Sequence, residues 1–216
     1  GLLRIPERAP RDEARRALGV PEDGFAVALL GRVSDWKGQD VLARALAEPA
    51  LAEIGAVGVV AGDAIPGGDA GRRLDALARE LGVQERLVRL GFREDVDTVL
   101  GAADAVAVPS TRPEPLGLVA LEAGAAGLPV VASADGGVAE VVRDGVSGLL
   151  VAPRDPAALA GALARLAGDP EEAARLGGEG ARLVAAEHAP ERVTDALQDL
   201  YDGLAGPPGA KFGGAL

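Results

Sequence analysis

Short apolar segments alternate regularly with segments of helical periodicity, and this alternation limits the possible folds of the chain more than any other feature. Each apolar segment is rich in aliphatic residues and is bounded by Gly, Pro or Asp, as expected for parallel strands that are buried on both faces. The six predicted strands are residues 25–30, 55–61, 87–90, 105–108, 129–132 and 148–151.

The segments between the predicted strands have apolar residues at helical spacing. Leu74, Leu77, Ala78 and Leu81 follow an i, i+3, i+4, i+7 pattern, and similar patterns predict helices around residues 159–166 and 191–204. Strands joined by helices form right-handed crossovers. The sequence therefore predicts an α/β fold, a Rossmann-like, doubly wound parallel sheet of about six strands with helices on both faces. We expect residues 1–205 to form this domain and the Gly- and Pro-rich residues 206–216 to be a flexible tail.

Composition excludes several classes of function. The 216 residues include no cysteine and a single histidine, His188, which excludes disulfides, thiolate sites and multi-histidine metal sites. A net charge of −11 and only one Trp, one Tyr and three Phe disfavour binding to nucleic acid or to anionic membranes. No apolar run approaches the ~20 residues of a membrane span, and no signal peptide is recognisable. We therefore expect a cytoplasmic protein.

The loop after the first predicted strand reads Gly31-Arg-Val-Ser-Asp-Trp-Lys-Gly38. It matches neither G-x-G-x-x-G nor the Walker A pattern, which argues against a dinucleotide-binding enzyme and a P-loop NTPase. Arg32 and Lys37 lie just before a predicted helix start near Gln39, an arrangement that suits a phosphate or diphosphate. The alternative is that two surface cations happen to flank a turn.

Two glutamates flank a second predicted helix start, in the segment that follows the fourth predicted strand. We expect this helix to begin near Leu116, with Glu114 just outside it and Glu122 one to two turns further on. The free amides between the carboxylates could donate hydrogen bonds to phosphates, and the carboxylates could accept hydrogen bonds from hydroxyl groups, so a sugar nucleotide fits the layout. Alternatively, Glu114 is only an acid favoured by the helix dipole and Glu122 an ordinary exposed helix residue.

Three motifs in this order resemble a known family. They are GR-x4-KG, then PS-x-RPEPLGLVALEAGAAGLPVVAS, then GGVAEVVRDGVSGLLVAPRDPAALAGAL. Together they resemble the C-terminal, donor-binding domain of retaining glycosyltransferases with the GT-B fold, in particular glycosyltransferase family four, also called glycosyl transferases group 1. The resemblance extends from about Gly24 to Tyr201.

The resemblance implies a role for each motif residue. Arg32 and Lys37 would stabilise the leaving diphosphate, Glu114 would contact the transferred sugar, and Glu122 would bind the ribose; Arg32, Lys37 and Glu114 would be the catalytic residues. The segment around Phe92 would hold the base. The full set of implied donor-binding residues is Gly31, Arg32, Lys37, Leu90, Phe92, Arg93, Glu114, Pro115, Leu116, Gly117, Leu118, Val119 and Glu122.

The substrate and partners follow from the same resemblance. The donor is expected to be a nucleotide diphosphate sugar that carries UDP or GDP rather than ADP. No metal or other cofactor is expected, because cations and helix amides supply the positive charge. The chain starts at Gly1 and has no methionine, so we expect it to be a piece of a longer enzyme whose N-terminal acceptor domain is absent. The fragment alone would then bind the donor but transfer sugar poorly or not at all. A sugar-nucleotide epimerase or phosphorylase of the same fold, and a non-catalytic nucleotide-sugar-binding module, remain open alternatives.

Some residues depart from the family pattern or lie outside it. Pro115 and Leu116 stand where the family often has Gly-Phe, and Gly124 stands where it usually has methionine, without an evident reason. His188 is expected to have a surface or capping role between two C-terminal helices. The arginine-rich residues 8–16 are expected to form a solvated helix face.

Overall fold

One six-stranded sheet organises the chain in the computed structural model, which describes residues 8–64 and 66–205. Its strands are β1 (Ala26–Leu30), β2 (Val57–Ala61), β3 (Leu87–Gly91), β4 (Ala105–Val108), β5 (Val130–Ser133) and β6 (Gly148–Val151). All neighbours are parallel, and the spatial order is β3-β2-β1-β4-β5-β6. The predicted doubly wound sheet is confirmed, and each predicted strand agrees with the structure to within two residues.

The described residues form ten helices in addition to the sheet. They are α1 (Arg11–Leu18), α2 (Gln39–Ala47), α3 (Pro49–Ala52), α4 (Ala70–Glu80), α5 (Val96–Ala102), α6 (Leu118–Ala125), α7 (Val138–Val141), α8 (Pro156–Gly168), α9 (Pro170–Glu187) and α10 (Pro190–Ala205), with a short 3₁₀ turn at Gln84–Arg86. None of these helices is long and apolar enough to cross a membrane. The predicted tail, residues 206–216, lies outside the described residues.

The alternation of side chains along each strand creates two hydrophobic layers. In β1, Val27 and Leu29 pack with α2, α4 and α8, whereas Ala26, Ala28 and Leu30 pack with α1, α5 and α6. All five residues of β1 are buried. Because both faces are covered, β1, β2 and β4 carry no polar face, which explains their continuous apolar sequences, whereas the edge strand β3 includes the exposed Arg89.

Arg15 corrects the expectation that residues 8–16 form a solvated face. Its side chain is completely buried, and its guanidinium donates to Asp104 Oδ2 at 2.5 Å and to the Ala102 carbonyl at 3.0 Å. It lies on the inward side of α1 with Ala14 and Leu18. The charged partner that makes its burial tolerable, Asp104, comes from a distant segment of the sequence.

Gly124 allows α6 and α9 to approach each other closely. A Cβ at Gly124 would lie 3.1 Å from Val184 Cγ2, and a Cβ at Gly180 on α9 would lie 3.4 Å from Gly124 Cα. Such distances leave little space for a larger side chain. Helix packing therefore accounts for the glycine in the middle of α6.

Candidate functional site

Two adjoining clefts open at the carboxyl edge of the sheet, where the order of the strands reverses between β1 and β4. The Arg32 cleft, of about 620 Å³, is lined by residues that include Gly31, Arg32, Phe92, Arg93 and Glu122. The Lys37 cleft, of about 370 Å³, is lined by residues that include Lys37, Glu114, Pro115, Leu116, Gly117 and Leu118. Leu30 and Val119 line both, so the clefts form one crevice at the position where open α/β sheets bind ligands.

The loop between β1 and α2 is held against β4 by a close backbone contact. Gly38 has a φ of 78°, and a Cβ there would lie 1.9 Å from the Pro109 carbonyl oxygen. Only glycine fits both the left-handed conformation and this contact. The buried Gln39 side chain, the first of α2, donates from Nε2 to the Arg32 carbonyl at 3.0 Å. The loop thus holds Arg32 and Lys37 in fixed backbone positions at the crevice.

Lys37 and Glu114 form a mostly buried ion pair in the Lys37 cleft. Lys37 Nζ lies 3.0 Å from Glu114 Oε1 and 2.9 Å from Oε2, and the two side chains are 19% and 9% exposed. Ser110 Oγ donates a further hydrogen bond of 2.8 Å to Glu114 Oε2. The carboxylate is therefore fixed in orientation by its partners, and it faces a cleft that could admit hydroxyl groups.

Arg32 and Glu122 line the other cleft and have no such partners. Within residues 8–64 and 66–205, neither side chain forms a hydrogen bond or ion pair. The Arg32 side chain is exposed, whereas Glu122 is half-buried, and this burial raises the pKa of the Glu122 carboxyl above its ordinary value. An unpaired cation and an unpaired, partly desolvated carboxyl group in one cleft can both bind a polar ligand.

Helix α6 begins two residues later than predicted. Gly117 has a φ of 71°, so it precedes the helix as a left-handed residue and Leu118 is the first helical residue; Pro115 and Leu116 belong to the preceding turn. The first amides of α6, those of Leu118 and Val119, have no partner inside the helix. They lie at the junction of the two clefts, where an anion could accept their hydrogen bonds.

The turn after β3 contributes the outer wall of the Arg32 cleft. The Phe92 ring is 67% exposed, and its backbone amide donates to Asp63 Oδ1 at 3.0 Å. Arg93 is paired with Asp95 at 2.8 and 2.6 Å. Leu90 lines neither cleft, because its side chain packs against the hydrophobic layer below α5 and α6.

Comparison with known proteins identifies the family. The family model described as glycosyl transferases group 1 matches residues 10–183, which include the whole crevice. The chain belongs to the glycosyl transferases group 1 family. A relative from Salinispora arenicola, D-inositol 3-phosphate glycosyltransferase, is 45% identical over 195 residues, which are 87% of this chain and 43% of that protein.

Solved structures agree with the family assignment of this group 1 glycosyltransferase chain. Anabaena Alr3699/HepE, in complex with UDP and glucose, matches with a TM-score of 0.86 and 30% identity over 94% of this chain and 55% of that chain. The C-terminal domain of a group 1 glycosyltransferase from Francisella tularensis matches with a TM-score of 0.77 and 25% identity over 88% of this chain and 98% of that domain. The chain spans about half of the length, or less, of the curated relatives it matches.

Several crevice residues of the glycosyltransferase chain escaped the sequence analysis. Trp36 and Ser110 line the Lys37 cleft, and Asp63 lines the Arg32 cleft, where it also holds the Phe92 amide. Each follows the carboxyl end of a predicted strand, so the rule that ligands bind at that edge could have found all three. Trp36 and Ser110 lie within the quoted motifs but were given no role, whereas Asp63 lies outside them and only the strand order brings it beside the turn after β3.

Two other features lie apart from the crevice. A cleft of about 720 Å³, the amino-edge cleft, opens at the opposite edge of the sheet and contains none of the predicted site residues. His188 caps the end of α9 and lines neither crevice cleft. Among the described residues, no group of three or more His, Asp or Glu side chains is placed to hold a metal ion.

Proposed function

We propose that the chain is the donor-binding half of a retaining hexosyltransferase and that its crevice binds a UDP-sugar. One observation carries this proposal: a free arginine, a lysine, the first amides of α6 and two glutamates converge on a single crevice at the carboxyl edge of the sheet. Cations and amides suit a diphosphate, and carboxylates on both sides of them suit the hydroxyl groups of two sugars. The likeness to a solved structure in complex with UDP and glucose supports uracil as the base.

In this assignment, the diphosphate lies at the junction of the two clefts. Arg32 would approach it from one cleft and Lys37 from the other, while the amides of Leu118 and Val119 would donate to its oxygens. When the bond between the sugar and the diphosphate breaks, negative charge grows on the leaving group, and these groups would stabilise it in the crevice. We propose that this positive charge makes a metal ion unnecessary.

The two glutamates would bind opposite ends of the donor. Glu114, oriented by Ser110 and Lys37, would accept a hydroxyl of the transferred sugar in the Lys37 cleft. Glu122 would accept the ribose hydroxyls in the Arg32 cleft, and the turn around Phe92 would lie against the base. A single ligand with two sugars on either side of a diphosphate would thus use both clefts.

A second domain would supply the acceptor. Leu197, Leu200, Tyr201 and Leu204 of α10 are 49 to 70% exposed, an apolar row that could pack on such a domain. The curated relatives are named for D-inositol 3-phosphate, so a phosphorylated cyclitol is the first acceptor to test with the complete enzyme. The absence of cysteine supports a cytoplasmic enzyme.

Thermal unfolding of the 216-residue chain with nucleotides tests the proposal. UDP at a hundredfold excess over its Kd should add about 2.7 kcal/mol to the free energy of unfolding, which corresponds to a rise of about 5–11 °C in Tm. GDP and ADP should give smaller shifts, and magnesium or EDTA should change none of them. The Arg32→Ala/Lys37→Met variant should lose the shift.

Arg112→Ala is the matched control, because Arg112 is an exposed arginine in the Glu114 segment that lines neither cleft. It should bind UDP like the unmodified chain. Absence of a shift with every nucleotide, in this chain and in the complete enzyme, would refute the donor site. UDP binding by a complete enzyme that transfers no sugar to any acceptor would instead favour a non-catalytic binding module.

A further inference from the structure

Trp36 lies directly against the lysine of the Lys37–Glu114 pair. The centroid of its ring is 4.4 Å from Lys37 Nζ, a distance typical of a cation–π interaction. Trp36 is the only tryptophan of the chain, and it is half-buried at the wall of the Lys37 cleft. The ammonium group thus contacts both an aromatic ring and the Glu114 carboxylate.

The backbone of Trp36 is fixed independently of its ring. The Thr111 amide donates to the Trp36 carbonyl at 2.7 Å, and Thr111 Oγ1 lies 3.3 Å from the Asp35 carbonyl oxygen. These contacts join the loop after β1 to the segment after β4, which also carries Ser110 and Glu114. Because the backbone is anchored, substitution of the ring should leave the path of the loop unchanged.

Lys37 needs such a support more than an arginine would. A lysine side chain has four rotatable bonds and loses about 2 kcal/mol of rotamer entropy when it is fixed. Glu114 restrains the ammonium from one side only, and a ligand that competes for the ammonium would weaken that restraint. An aromatic face attracts the ammonium through its charge and offers no competing lone-pair acceptor, so it does not compete with an anion as a hydrogen-bond acceptor for the N–H donors.

We propose that Trp36 is the positioning residue for Lys37 and raises the affinity for the donor diphosphate through that lysine. This rests on the proposed function. The ring keeps Nζ at one position in the empty cleft and in the occupied cleft, while the hydrogen bonds of Nζ shift between Glu114 and the phosphate oxygens. Trp36 acts on the ligand only through Lys37.

The first experiment measures the ring–lysine contact without any ligand. Lys37 and Lys211 are the only lysines, so limited acetylation followed by mass spectrometry gives the labelling rate of Lys37 relative to an internal standard. Trp36→Leu should raise this ratio by about two- to fivefold, the range expected from loss of a cation–π contact at a partly exposed site. Trp36→Phe retains an aromatic face and should give a smaller increase. An unchanged ratio in Trp36→Leu would overturn the proposal.

The second experiment is a double-mutant cycle on UDP affinity, measured by calorimetry. Trp36→Leu should weaken UDP binding by about two- to fivefold and Trp36→Phe by less. In the Lys37→Met background, Trp36→Leu should have no further effect. An equal loss in both backgrounds would mean that the ring contacts the ligand itself and would overturn the proposal.

The two experiments separate this proposal from the proposed function. If Trp36→Leu raises the labelling of Lys37 as predicted but the unmodified chain binds no nucleotide, the positioning of Lys37 stands and the donor-site assignment fails, together with the claim about diphosphate affinity. If UDP binds and Lys37→Met weakens it while Trp36→Leu changes neither labelling nor affinity, the donor site stands and the role of Trp36 fails.

Discussion

Two cation–carboxylate pairs lie at opposite edges of the same sheet, and they differ in what else they contact. Arg15 and Asp104 meet at 2.5 Å at the amino edge, where Arg15 is fully buried and Asp104 is 24% exposed. Lys37 and Glu114 meet at 2.9 Å at the carboxyl edge, with side chains that are 19% and 9% exposed. By burial and distance alone, the two pairs look alike.

Their remaining hydrogen-bonding capacity distinguishes them. Arg15 also donates to the backbone carbonyls of Ala102, Pro21, Glu22 and Gly24, and Asp104 also accepts from the Ala26 amide at 2.7 Å. These bonds connect α1 to the starts of β1 and β4. Lys37, in contrast, donates only to Glu114 among the described residues, and the pair faces an open cleft. A saturated pair stabilises the fold, whereas an unsaturated pair at a cleft can bind a ligand.

The largest effect on stability should come from breaking the saturated pair. Arg15→Ala leaves Asp104 and four carbonyls without their shared donor, so the free energy of unfolding should fall by about 3–5 kcal/mol. Urea denaturation measures this loss. Arg16→Ala, whose side chain is 60% exposed beside Glu22, should change stability by less than about 0.5 kcal/mol. If Arg15→Ala cost no more than Arg16→Ala, the amino-edge pair would have no structural role.

Breaking the Lys37–Glu114 pair should lower the rate of sugar transfer by the complete enzyme. Glu114→Gln keeps the volume of the side chain but removes the charge that binds Lys37 and the sugar hydroxyl, so transfer by the complete enzyme should fall by about a hundredfold or more. UDP binding, which depends on the other groups, should persist. Rates from a transfer assay beside UDP calorimetry test both parts. Normal turnover in Glu114→Gln would contradict the role assigned to this carboxylate.

The smallest effect, and the one that depends on pH, should come from Glu122. Its pKa is raised by burial in the folded state, so at pH values between the unfolded and folded pKa the folded state holds more protons than the unfolded state. The free energy of unfolding should therefore fall as the pH rises through this window. Glu122→Gln has no titrating carboxyl at this position. Its free energy of unfolding should therefore equal that of the unmodified chain in acid and exceed it as the pH rises through the window.

The same substitution should weaken UDP binding by about tenfold, because a neutral amide is a poorer acceptor for the ribose hydroxyls. Urea denaturation across the pH range and UDP calorimetry measure the two effects. Glu140→Gln is the control, because Glu140 is an exposed residue of α7 outside both clefts. It should change neither the pH dependence of the free energy of unfolding nor the affinity for UDP. A parallel pH dependence in the unmodified chain and in Glu122→Gln would contradict the proposed burial effect.

The strands and the main candidate groups could be predicted from sequence because their signals are local. Apolar runs define β1–β6, and the spacing of Arg32, Lys37, Glu114 and Glu122 is readable within single segments. The start of α6 was misplaced because Pro115 is compatible with a first helical turn, whereas the left-handed Gly117 that delays the helix is evident only in three dimensions.

Features that depend on distant partners could not be predicted in this way. Arg15 can be buried because Asp104, 89 positions away, lies beside it. Trp36 contacts an ammonium group that is also bound by Glu114, which lies 77 positions from Lys37. Gly124 has a packing partner, Gly180, on another helix. Helical periodicity describes which side of an element is apolar, but it does not show which charged residue finds a partner there.

The close contact between α6 and α9 also has a consequence for how donor preference can diverge. One side of α6 is closed to larger residues at Gly124, so substitutions there would disturb the platform that carries Glu122. At the opposite end of the helix, Leu118 and the preceding-turn residue Leu116 lie at the Lys37 cleft, 50% and 57% exposed. If the Lys37 cleft holds the donor sugar as proposed, new side chains at these two positions should alter the shape of that cleft at little cost to folding, so engineering of donor choice should begin there.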